Sequence, residues 1–74
     1  MIILDAPIQQ DKIIALLNAY DQDGVSFQFD HKKGIQLHFT TNQSDLATAA
    51  KVAKAAIKAE PWGGVLYFQA RVAK

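Results

Sequence analysis

Two histidines, one arginine late in the chain, one nearby tyrosine and several carboxamides are the side chains with the widest chemical range. His38 stands in the alternating stretch Gln36-Leu37-His38-Phe39-Thr40, and Gln28 in a second one, Ser26-Phe27-Gln28-Phe29-Asp30. Tyr67, Gln69 and Arg71 alternate with Leu66, Phe68 and Ala70. Successive residues of a strand point to opposite faces, so these five polar positions fall on the side away from the large apolar residues. Imidazole, amide, phenol and guanidinium groups together can hydrogen-bond a small polar ligand or a partner's backbone without covalent chemistry. His38, Gln28, Tyr67, Gln69 and Arg71 are therefore the expected ligand-binding or interface residues. The same pattern also describes a plain solvated sheet face.

Covalent chemistry has little support. A nucleophile needs an adjacent base and an orienting group, and beyond Thr40 near His38 neither histidine has a serine or threonine beside it. No catalytic residue is expected, and the chain reads as non-enzymatic. With no cysteine, neither a disulfide nor a thiolate metal site can form. In an unbroken alternation His31 and His38 have opposite parity, so they should point to opposite sides of the sheet and share no ion. No metal and no cofactor is expected.

Charge narrows the partners. A formal net charge of +1 argues against electrostatic capture of nucleic acid by the whole surface. The distribution is uneven. Up to His31 the chain carries Asp5, Asp11, Asp21, Asp23 and Asp30 against Lys12; from Lys32 onward it carries Lys32, Lys33, Lys51, Lys54, Lys58, Arg71 and Lys74 against Asp45 and Glu60. An acidic side and a basic side favour head-to-tail contacts or are simply two solvated faces. No export signal and no run of about 18 apolar residues is evident, so the reading is a soluble cytoplasmic protein with no membrane contact.

The elements that must position these residues follow from hydrophobic period. Met1 to Leu4 reads as a short buried strand ended by Pro7. Ile13, Leu16, Leu17 and Tyr20 recur at helical spacing, and Asp21 to Gly24 ends that helix. From Val25 the period becomes two, and Val25, Phe27, Phe29 and His31 match Ile35, Leu37 and Phe39 across a three-residue loop, Lys32-Lys33-Gly34, pairing Phe29 with Leu37. Thr41 or Asn42 should cap a second helix with Leu46, Ala49, Ala50, Ala53, Ala56 and Ile57 inward and Lys51, Lys54 and Lys58 outward. Glu60-Pro61 stops it, and Val65 to Val72 forms the last strand. Residues 1–74 thus read as a single α+β domain, a ferredoxin-like βαββαβ sandwich: a four-stranded antiparallel sheet with two helices on one face.

Asp5-Ala6-Pro7, Leu16-Leu17 and Gly24-Val25 resemble in outline the opening of amino-acid-binding ACT regulatory domains. That resemblance implies an amino-acid-like ligand, although Ile8 stands where those domains place a glycine. Lys33-Gly34 is similar to the start of the RNA-recognition octapeptide, but Ile35 and Leu37 occupy the positions where that family stacks bases, which disfavours nucleic-acid binding. The expectation is a small protein-interaction or self-associating module, a homo-oligomer or a binder of another protein. An amino-acid-like ligand sensor is the alternative, and a weak single-stranded nucleic-acid binder comes third.

Overall fold

A computed structural model describes residues 1–73. Strand β1 spans Ile2–Asp5, helix α1 Gln10–Asn18, β2 Asp21–Gln22, β3 Val25–Lys33, β4 Gln36–Thr41, helix α2 Leu46–Lys58 and β5 Gln69–Val72. The strands form one antiparallel sheet in the order β2-β3-β4-β1-β5. The expected four-stranded ferredoxin-like sheet is thereby corrected: among the described residues there are five strands, and the sheet curls into a half-barrel.

Two local features produce the difference. The first is Asp23-Gly24. Both residues have positive φ, 54° and 76°, the signature of a type I′ hairpin turn. The turn does not merely end α1 but folds Asp21–Gln22 back on Val25–Ser26 as an extra strand. The second is a β-bulge at Asp30. Phe29 pairs with Phe39, yet His31 pairs with His38, so one residue of β3 has no partner on β4. A bulge bends its strand and increases local twist, which is what curls a sheet.

The same bulge resets the hairpin loop. Lys33 pairs with Gln36, leaving only Gly34 and Ile35 in the turn. Gly34 has φ 61° and Ile35 is not among the positive-φ residues, which is the II′ geometry. Phe29 therefore faces Phe39 rather than Leu37, and Ile35, expected inward, is 52% exposed.

Both helices pack on the face that carries Ile2, Leu4, Phe27, Leu37 and Phe39, joining Ile13 and Leu17 of α1 and Ala49, Ala53 and Ile57 of α2 in one core. The alanines let α2 lie close to the sheet. Its N-cap is Asp45 rather than Thr41 or Asn42, the carboxylate accepting from Ala47 N–H at 3.1 Å and Thr48 N–H at 3.3 Å. Those bonds, led by the one from the Thr48 hydroxyl, hold the Asp45 carboxyl below its ordinary pKa. Helix α1 starts later than Pro7 suggests. Gln9 sits in the left-handed region and caps nothing through its side chain, while Gln10 Nε2 donates to Ala6 O at 2.8 Å.

After α2 the chain turns back through Pro61 to Val65, and Gly63 makes this return possible. A Cβ on Gly63 would lie 1.7 Å from Ile57 O, inside the helix's own backbone. Trp62 packs half-buried against the core, with Lys12 Nζ 5.8 Å from its ring centroid. The last strand is shorter than Val65–Val72 because β1 offers only Ile2 to Asp5 as partners, and these take Val72 to Gln69.

Candidate functional site

The face away from the helices is ordered by the pairing into rows. One row runs His31, His38, Ile3, Arg71 across β3, β4, β1 and β5. The next runs Lys33, Gln36, Asp5, Gln69. Of the expected site residues, His38 and Arg71 are thus brought into one row with Ile3 between them, and Gln69 lies in the adjacent row. Gln28 does not face His38; it pairs with Thr40. Tyr67 lies before β5, unpaired and 78% exposed.

His31 is the residue that parity misplaces. The unpaired Asp30 shifts the count by one, so His31 and His38 lie on the same face with rings stacked, centroids 4.2 Å apart and planes 16° from parallel. Asp30 Oδ2 lies 2.5 Å from His31 Nδ1, and Gln36 Oε1 lies 3.2 Å from His38 Nε2. Partial burial pushes the His38 pKa below its ordinary value, and the nearby His31 and Arg71 push the same way against Asp30. Nothing in the alternation of Val25 to His31 signals the bulge.

Stacked imidazoles with parallel planes do not aim two lone pairs at one point. Among the described residues no group of three or more His, Asp or Glu side chains could hold a metal ion. Thr40 is also unavailable to His38 as a nucleophile partner, since its hydroxyl donates to Gln28 O at 3.3 Å. On the far side of Ile3, Arg71 donates to both oxygens of Asp5, Nε to Oδ2 at 2.7 Å and Nη2 to Oδ1 at 3.4 Å. This bond raises the Arg71 pKa and occupies the guanidinium. Ile3 is 6% exposed although it lies on the face that no helix covers. What remains is a shallow hollow lined by Met1, Ile3, His38, Arg71, Val72 and Ala73.

The second surface is the outer edge of β5, the end of the sheet. Ala73 N–H donates to Met1 O at 3.0 Å, and strand amides alternate in direction. The N–H and C=O of Ala70 and Val72 therefore point outward, away from β1. Among the described residues no side chain bonds to them. A groove between this edge and α2 is lined by Ala47, Ala50, Lys51 and Lys54 on the helix and Ala70, Arg71 and Val72 on the strand. Directly before the edge, Val65 is 90% exposed beside the bare Tyr67. No helix among the described residues is long and apolar enough to cross a membrane. No family model, no curated protein and no solved structure matches the chain, so the two surfaces are judged by their own geometry.

Proposed function

We propose that this chain is a non-enzymatic protein-interaction module that accepts an extended strand of a partner, another protein or a second copy, along the outer edge of β5. The observation that carries the reading is the unpaired backbone groups of Ala70 and Val72 on the last strand of the sheet, preceded along the chain by the exposed side chains of Val65 and Tyr67. A free edge is a template for another strand, and proteins that do not use one cover it or blunt it with charges, bulges or short strands. The lack of cysteine fits a reducing compartment, and we place the module in the cytoplasm.

Backbone hydrogen exchange tests it, with a panel of extended peptides of varied charge. Binding at the edge slows exchange of the Ala70 and Val72 amides. A panel in which every member leaves both amides unprotected refutes the reading.

A second reading has one specific observation behind it, the hollow beside Ile3 with His38 and Arg71 at its rim. A small polar ligand there would shift the His38 and Ile3 resonances rather than those of the edge. Amide shifts recorded with amino acids at millimolar concentration distinguish the two.

A further inference from the structure

The groove that flanks the β5 edge is not neutral. Lys51 and Lys54 line it, Lys58 continues the same helical stripe, and all three are exposed. Neither ion pair among the described residues involves them: one joins Asp30 to His31, the other Asp5 to Arg71. Helix α2 itself carries no acid; its N-cap Asp45, near enough to Lys51 to feel its charge, has its oxygens held by the Ala47 and Thr48 amides and the Thr48 hydroxyl. The floor between lysines and strand is Ala47 and Ala50, small enough to admit side chains of moderate size.

An added strand would pair with the outward groups of Ala70 and Val72, and half of its side chains would point to the helix side. Ala70 and Val72 are directly opposite Leu4 and Ile2, which face the helices, so the incoming residues beside them would lie over Ala47 and Ala50 and next to Lys51 and Lys54. Like charges across this contact are unfavourable and opposite charges favourable. Two copies of the chain joined β5 to β5 about a twofold axis would bring the two lysine stripes together. That arrangement is the one the charge opposes.

Building on the strand-accepting reading, we infer that the partner is an acidic extended peptide, with Asp or Glu at alternate positions that meet Lys51 and Lys54 while its backbone completes the β5 edge. The backbone groups select an extended polypeptide, and the lysines select its charge. A single-stranded nucleic acid would satisfy the lysines but has no alternating N–H and C=O to offer Ala70 and Val72.

The test uses the full chain, three fluorescent peptides and two variants. The peptides share a β-favouring sequence with Glu, Gln or Lys at the alternate positions, and fluorescence polarisation is read at low and high ionic strength. The Glu peptide should bind at least about tenfold more tightly than the Lys peptide, with the gap closing at high salt. Double replacement Lys51→Glu with Lys54→Glu should reverse the order of the two. Val72→Pro removes one outward N–H while leaving the amides that pair with β1, a change tolerated on an edge strand, and it should weaken all three peptides.

The outcomes separate the two claims. If Val72→Pro weakens every peptide but the lysine swap leaves their order unchanged, the acidic partner is refuted and the strand-accepting edge stands. If the lysine swap abolishes binding while Val72→Pro has no effect, both fail and the stripe is a plain anion surface; single-stranded RNA binding insensitive to Val72→Pro overturns both in the same way. A dimer by light scattering that Val72→Pro dissociates refutes the acidic peptide in favour of a second copy.

Discussion

At one end of the sheet β2 covers only Val25 and Ser26, and the rest of β3 is guarded residue by residue. Asn18 Oδ1 accepts from Phe29 N–H at 2.8 Å, Asp30 breaks the ladder, and Lys32 and Lys33 carry charge along the remainder. Lys32 is opposite Leu37, so it starts on the helix-facing side, and an inward charge obstructs a second sheet from docking. At the other end β5 is short and carries Arg71, which Asp5 holds, but it has no bulge and no side-chain cap on its outward groups among the described residues. Its outward groups at Ala70 and Val72 are bare, and the residues before it include Val65 and Tyr67, large and exposed. The fold thus blunts one edge by several independent means, while the outward groups of the other are unpaired among the described residues.

The largest effect should come from the link that places the open edge. Gly63→Ala puts a methyl group into Ile57 O, and neither backbone can yield without moving the end of α2 or the start of the return. We expect a loss of about 3 kcal/mol or more in denaturant unfolding, the upper range for forced overpacking. A loss below about 1 kcal/mol would show that this return is not held where it stands.

Deleting Asp30 attacks the guarded edge instead. Phe29 with Phe39 and His31 with His38 would then follow one another in an uninterrupted ladder. The edge becomes flatter, and flat edges pair with one another. Concentration-dependent association by light scattering is the expected result. A variant as monomeric as the parent would show that the bulge does not guard this edge.

Asn18→Ala removes a single guard. It should cost about 1 kcal/mol, the usual worth of one hydrogen bond, and speed hydrogen exchange at Phe29 above its neighbours. Unchanged exchange at Phe29 would mean that water or a neighbouring group replaces the bond at no cost.

These edges also show what can be read from the residues and what cannot. Phe27, Leu37 and Phe39 are legible as core because large apolar side chains at alternate positions have only one face to occupy. The inner face of α2 is legible for the same reason at helical period: Ala49, Ala50, Ala53 and Ile57 are buried. The fifth strand has a local signal that points two ways. Asp-Gly is a strong I′ hairpin signal, yet after a helix it competes with the use of glycine as a C-cap. The bulge has no signal at all, since Phe29-Asp30-His31 fits unbroken alternation as well as interrupted alternation. The candidate site suffers most from that one residue. His38 and Arg71 share one row with His31 stacked on His38, whereas Gln28 pairs with Thr40 and Tyr67 lies before β5. The proposed edge site depends on tertiary placement of α2 beside β5, which no local period encodes.

The smallest predicted effect, pH, separates the two edges once more. His38 lies one strand from the guarded edge, and its pKa is lowered by partial burial, then by His31 and Arg71, with Lys33 adding to them and Asp30 opposing. A base with a lowered folded pKa is protonated more readily in the unfolded chain, where its pKa is about 6.5. Stability should therefore be unaffected by this group above that value, begin to fall as pH drops through it, and reach its full deficit below the folded pKa. The Arg71–Asp5 pair at the open side contains no histidine, and its arginine stays protonated throughout this range. Acidification from pH 7.5 to 5.5 is expected to speed hydrogen exchange in β3 and β4 more than in β5, and His38→Gln should remove the difference. Equal loss of protection in all three strands would place the pH response outside the histidine pair.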